Sequence, residues 1–288
     1  MRAHPRLSCS EYSFPSLARD ERLGLVALLG FESVDVGLFL DPNTEVRPFL
    51  ADPAAEAKVL RNQIEANRLK LADLFLIVGG DSFAAHAINA QDHERRLELR
   101  RIFEAAILVC RELEQLSLSL LPGVAWPDDR RASWETAVSE LRWRVEHAAH
   151  LGIEIRIEPH IGSIVSTPEL VIQLLGEVPG LGLTLDAGHF VFQGIGLDRI
   201  LPLAPLARHV HLSGARPGAV HVALEHNEID FAALVSALES AGFCGRYSVE
   251  YVPMAKWGAD STDVLGAVIA LRNTMGSLLL ARSTAGQK

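Results

Sequence analysis

Short strand-like runs alternate with longer stretches of helical spacing along the whole chain, and that alternation restricts the folds open to it. Eight runs read as strands: RLSCSEYSF, SVDVGLFL, LADLFLIVG, LSLSLLP, IEIRIEP, LGLTLDAG, RHVHLSG and RYSVEYVP. Helical stretches lie between them, including DERLGLVALLGF, PAAEAKVLRNQIEANRL, HERRLELRRIFEAAILVCREL and SWETAVSELRWRVEHAAHLG, several opening on Asp, Ser or Pro and closing on Gly as capped helices do. Successive βα units imply a parallel sheet. Eight of them in 288 residues predict α/β architecture and a single (β/α)8 TIM barrel, a fold of about 250 residues. A doubly wound open sheet ranks below it, because it usually has fewer strands and no GxGxxG follows the first strand. No linker, low-complexity tract or like-charge block marks a boundary, so residues 1–288 are read as one domain.

Composition narrows the partners. A net charge of -9 supplies no basic field for phosphate backbones or anionic lipid, so nucleic acid and membrane are not expected. Cys9, Cys110 and Cys244 are odd in number and widely spaced, which fits a reducing compartment and neither a disulfide framework nor a thiolate zinc site. MRAHPRLSCSEYSF has no apolar signal core, and the greasiest region, VLGAVIALRNTMGSLLLA, is interrupted by Arg272 and Asn273. The expectation is a cytoplasmic protein.

In a barrel of this kind the C-terminal ends of the strands carry the active site. Four consecutive strands end in candidate ligands: IEIRIEPH delivers Glu158, LTLDAGH delivers Asp186, HVHLSG delivers His211 and YSVEYVP delivers Glu250. Taken singly, each has a plain reading: a glutamate on the rim, a hydrogen-bonded core histidine at 209 or 211, a helix cap at Asp186. Together, three carboxylates and an imidazole converging from neighbouring strands need a cation between them. One divalent metal answers that need, Mn²⁺ first, with Mg²⁺, Co²⁺ or Zn²⁺ as alternatives for an oxygen-rich donor set. His160 either hydrogen-bonds substrate or a ligand carboxylate or is a plain loop residue. Trp126 and Trp257, beyond strand ends, suit an aromatic wall for a sugar, and core packing or a dimer contact explains them equally well. GGDSFAAHAINAQDHE, after the third strand, could form a lid carrying His86 or His93.

These residues resemble the xylose isomerase-like TIM barrels, the superfamily of sugar phosphate isomerases, epimerases and family 2 AP endonucleases. GFESVDV looks like the second-strand signature, IEPH the fifth, LTLDAGH the sixth, HVHLSGARPG the seventh and VEY the eighth, and NEIDFAALVSALESAGFCGRYSVEY resembles the usual lead into the last strand. By that resemblance Glu158, Asp186, His211 and Glu250 are metal ligands, and His189 and Arg216 contact substrate oxygens. The implied activity is isomerisation or epimerisation of a small sugar or polyol-derived hydroxy-carbonyl compound. Proton abstraction beside the carbonyl passes through a metal-stabilised enediolate. Glu158 and Glu250 are then candidate base and acid, or else purely ligands with another group moving the proton. Family members often form homo-oligomers.

Three departures stand out. Gly214 occupies a position where the family often has Asp. EHNEIDF places His226 where a glycine is common. Arg156 shares a strand face with Glu158, and a Glu154 to Arg156 pair filling the barrel explains it better than a substrate role. Rival functions are a keto-inositol or keto-sugar dehydratase, which begins with the same proton abstraction, and a non-catalytic sugar-binding barrel. An AP endonuclease-like nuclease is disfavoured by the acidic charge, by the absence of histidine at GLFLDP and LLPGVAW, and by Leu224 where such a site would want Asp.

Overall fold

The computed structural model describes residues 2–252, 254–259 and 263–285. Ten strands run β1 (Leu7–Ser10), β2 (Ser33–Leu40), β3 (Lys70–Val78), β4 (Ser117–Leu120), β5 (Glu154–Ile157), β6 (Gly182–Asp186), β7 (Ala207–Leu212), β8 (Gly214–Arg216), β9 (Ala219–Val222) and β10 (Tyr247–Val249) among the described residues. Eight of them close into a barrel in the order β1-β10-β7-β6-β5-β4-β3-β2, and every pairing whose register is defined is parallel. This is the (β/α)8 barrel expected from the eight runs. The strands are shorter than the runs. RLSCSEYSF turns into a 3-10 helix at Glu11–Ser13, and RYSVEYVP leaves the sheet after Val249, its last residue, Pro253, lying outside the described residues.

The helices are α1 (Arg19–Leu28), α2 (Val46–Ala51), α3 (Pro53–Ala66), α4 (His93–Glu112), α5 (Arg130–Ala149), α6 (Pro168–Glu177), α7 (Ala187–Phe192), α8 (Leu197–Ile200), α9 (Phe231–Ser240) and α10 (Val264–Ala285). Side-chain caps fix several starts. Asp92, Asp129, Thr167 and Asp230 accept backbone N–H groups at the heads of α4, α5, α6 and α9. Two starts differ from the sequence reading. Asp20 lies inside α1, whose N-cap is Ala18 with its N–H held by the Glu21 carboxylate at 2.9 Å. Asp129 caps α5, which begins at Arg130, three residues upstream of Ser133, because the Asp129 carboxylate reaches the Ala132 N–H at 2.9 Å.

Arg272 and Asn273 do not interrupt α10, which runs through both. Arg272 is buried and donates to the Leu29 carbonyl, so the charge is satisfied inside. Val264–Arg282 is long and apolar enough to cross a membrane by length and composition. Val268, Leu271 and Met275 on it are fully buried.

The chain divides into two compact units, one of Met1–Val36, Ile64–Ala72 and Leu185–Lys288, the other of Gly37–Gln63 and Asp73–Thr184. Both obey the same alternation. One face of each strand is aliphatic or aromatic and buried: Leu7 and Cys9, Val34 and Val36, Val210 and Leu212, Tyr247 and Val249 in the first unit; Leu74 and Leu76, Leu118 and Leu120, Ile155 and Ile157 in the second. The other face is polar. In the first unit it carries Ser8, Ser10, Ser33, Asp35, His209, His211 and Ser248, with Ser10 Oγ 3.1 Å from Ser248 Oγ. In the second it carries Asp73, Ser117, Ser119 and Thr184. Ser117 and Ser119 donate to the two Asp73 oxygens at 2.8 and 2.5 Å, and Ser119 lies 2.8 Å from the Thr184 hydroxyl. Branched aliphatics usually fill such barrels. Small hydroxyls do so here because each buried carboxylate needs donors. Arg156 joins this second network, donating to Glu154 at 2.6 Å, as expected, and standing 3.7 Å from Asp73, a partner the sequence did not suggest.

Candidate metal centre

Asp186 closes β6 and caps α7, its Oδ1 accepting the Gly188 N–H at 2.6 Å. The plain cap and the ligand reading coexist, because capping occupies one of two carboxylate oxygens. The turn into α7 brings His189 back beside it, with His189 Nε2 3.9 Å from Asp186 Oδ2. Both are buried. Trp257, half-buried, meets the His189 ring edge-on at 6.5 Å between centroids.

His211 lies near the end of β7, and Glu250 stands one residue past β10, where its N–H donates to the Leu212 carbonyl at 2.9 Å. That backbone bond seats the two side chains together. His211 Nδ1 is 2.7 Å from Glu250 Oε2, and the Tyr12 hydroxyl donates to the same oxygen at 3.4 Å. On the other edge of the imidazole, Nε2 is 3.5 Å from Asp35 Oδ2. His209, two residues earlier on the same face, places Nε2 2.5 Å from that same Asp35 oxygen. Burial pushes the Asp35 carboxyl up, but the two histidines outweigh it and hold the group well below the usual carboxylate range. His209 is thus the hydrogen-bonded core histidine, and His211 sits between two carboxylates. Asp35, His209 and His211 together have the spacing of a metal-binding group.

In the second unit Glu158 follows β5 directly. Its N–H donates to the Leu120 carbonyl at 2.9 Å, and its side chain is buried. His160 donates from Nδ1 to the Ile161 carbonyl at 2.8 Å and meets Phe83 edge-on at 5.6 Å. Trp126, half-buried, donates from Nε1 to the Asn89 carbonyl at 2.9 Å, which ties it to the expected lid segment. That segment is structured. Gly80–His86 forms a 3-10 helix, and His93 is the exposed first residue of α4.

HVHLSGARPGAVHV contains a feature the strand count missed: β8 and β9 form an antiparallel hairpin turning at Pro217 and Gly218, the latter at φ +77°. The Pro-Gly pair was the available signal. Arg216 lies exposed on β8, and His226 is exposed in the 3-10 turn Leu224–His226. The hairpin buries His221 at φ +58°, uncommon for a residue with a Cβ, with its Nδ1 donating to the Glu250 carbonyl at 3.3 Å. It also explains Gly214. A Cβ there would collide with the Val222 carbonyl oxygen across the hairpin, so the Asp common in the family has no room. Gly214→Asp is expected to cost about 1–3 kcal/mol by overpacking, read as a lower urea midpoint.

The donors suit a divalent cation. Asp186, His211 and Glu250 offer buried carboxylate oxygens and imidazole nitrogens, without a thiolate, at the ends of the neighbouring strands β6, β7 and β10. A family model described as a xylose isomerase-like TIM barrel matches residues 23–268, and the chain belongs to that family. Solved structures agree in fold. An L-ribulose 3-epimerase is 19% identical, with 99% of this chain and 98% of that one covered at a TM-score of 0.75. A family 2 AP endonuclease from Brucella melitensis is 22% identical, covering 89% and 96% at 0.69. An IOLI protein with a binding zinc atom is 18% identical, covering 95% and 97% at 0.70. No curated protein matches the chain.

Proposed function

We propose that the chain is a divalent-metal-dependent isomerase or epimerase of a small sugar or polyol-derived hydroxy-carbonyl compound. The observation that carries this reading is the buried His211 and Glu250 pair, 2.7 Å apart at adjoining strand ends, with Asp186 ending the next strand. A proton or a cation must lie between an imidazole nitrogen and a carboxylate oxygen so placed and so buried. Glu158, which ends the strand paired with β6, is the fourth ligand of the set, and Mn²⁺ is the first choice of ion. The similarity to an L-ribulose 3-epimerase and to a zinc-binding barrel supports the reading at the level of fold.

The cation supplies charge stabilisation for the anion formed when a carbon-bound proton leaves beside a carbonyl. The chain supplies the rest. Glu158 and Glu250 take and return the proton, one on each face of the substrate carbon. His189, held in the turn after Asp186, orients a substrate hydroxyl, and Arg216 meets another from the exposed hairpin. His160, Trp126 and Trp257 border the substrate. The test is incubation with Mn²⁺ and a panel of ketoses in heavy water. Deuterium at the carbon beside the carbonyl, without other mass change, is expected. Loss of one water would show a dehydratase, and binding without exchange a sugar-binding barrel.

A further inference from the structure

Within the second unit a cavity lies among the aliphatic faces of β3 and β4, helices α4 and α5, and the Gly80–His86 segment. Its wall is mostly apolar, with Leu76 from β3, Leu120 from β4, and Leu99 and Phe103 from α4. Phe83 and His86, both half-buried, border it from the segment above. Arg144 of α5 lines the same space and is the one fully buried charged side chain among the described residues that do. The free space is about 40 Å³, and a water needs roughly 10–15 Å³, so an occupant of about three or four heavy atoms fits.

Charge around Arg144 does not balance. Arg96, Arg100 and Arg144 all pair with Glu140, at 3.7, 2.9 and 2.7 Å, and among the described residues no second carboxylate is within ion-pair reach of the three. Arg96 and Arg100 keep partial contact with solvent, whereas Arg144 is withdrawn from it. Arg144 Nη1 donates to the Glu140 carboxylate at 2.7 Å and to the Glu140 carbonyl at 2.9 Å, but the buried Nη2 finds no acceptor among the described residues. Phe103 and Trp143 offer ring faces to the guanidinium carbon, which attract the charge and accept no in-plane N–H bond. Burial holds the guanidinium below its ordinary pKa against the upward pull of Glu140. An unpaired N–H on a buried cation costs more than one on a neutral group.

We propose that the cavity is a binding site for a small monocarboxylate of formate or acetate size, its carboxylate accepting from Arg144 Nη2 and its carbon end resting on Leu99 and Phe103. Such an ion supplies both things Arg144 lacks, a negative charge and an acceptor, in one charge-assisted bond. Its carbon end suits a wall that has little else to offer a polar group. The inference does not depend on the metal centre.

The test is equilibrium dialysis of the full chain against carbon-14 acetate, with ionic strength held constant by sodium sulfate, for wild type and Arg144→Met. One saturable acetate per chain is expected, bound about 10–100-fold more weakly by Arg144→Met, the range lost with one hydrogen bond to a charged group. Nuclear Overhauser contacts between the acetate methyl and the Phe103 ring are expected in the wild type, and they decide the matter if Arg144→Met does not fold. No saturable binding would mean that the cavity holds water alone, and would overturn the proposal. So would equal binding by folded Arg144→Met, or bound acetate without contact to Phe103, since either puts the ion elsewhere. Displacement of acetate by equimolar sodium chloride would reveal a site for any small anion and overturn the carboxylate assignment.

Discussion

Glu158→Gln and Glu250→Gln are each expected to lower deuterium exchange into substrate by about 10²–10⁴-fold, the usual contribution of a positioned acid or base. The amide keeps the size of the carboxylate but can neither accept the proton nor return it. Both residues are also proposed ligands, so the comparison is made at saturating Mn²⁺. If exchange recovers fully once the ion is restored, the glutamates only hold metal and another group moves the proton. Persistent loss with full metal occupancy assigns the proton transfer to them. Glu250 is the more informative, because the His211 nitrogen and the Tyr12 hydroxyl converge on one oxygen of its carboxylate.

Glu140→Gln is expected to be the most destabilising single change away from the centre, at about 3–5 kcal/mol at neutral pH. Arg144, one turn further along α5, is fully buried, with Phe103 and Trp143 rings 5.4 and 5.6 Å from its guanidinium. Its charge is met by Glu140 at 2.7 Å, a carboxylate that also binds Arg100 through two bonds of 2.9 and 3.0 Å. Removing that charge leaves a guanidinium stranded in the core. The pH dependence has a definite sign. Burial raises the Glu140 carboxyl, but Arg100 and Arg144 outweigh it and hold the group below its ordinary value. Its contribution is therefore present above the unfolded-state carboxyl range, about pH 4.3, and is lost as pH falls through the lower folded value. Urea midpoints of wild type and variant should differ most at neutral pH and converge in acid.

The barrel was legible because strand alternation and helix caps are local signals. IEIRIE and GLTLD show the polar and apolar faces within single runs, and Asp92 and Asp230 sit where a capping carboxylate must. Glu158, Asp186, His211 and Glu250 could be singled out for the same reason: each breaks an apolar run at its end. What escaped notice depends on contacts between distant segments. Asp35 reads as one polar residue in SVDVGLFL, and only the barrel brings it to His209, 174 positions away. His221 was invisible because GARPGAVHV reads as a loop after the seventh strand, although its Pro-Gly turn marks a hairpin. Gly214 departs from the Asp common in the family, and the hairpin shows that its backbone approach leaves no room for a side chain there.

The proposed metal centre holds one divalent cation on Glu158, Asp186, His211 and Glu250. Anomalous diffraction from crystals grown with Mn²⁺ tests it most directly. One strong peak is expected, bonded to carboxylate oxygens of the three acidic residues and to His211 Nδ1. No peak there, or four side chains turned away from one another around water alone, would contradict it.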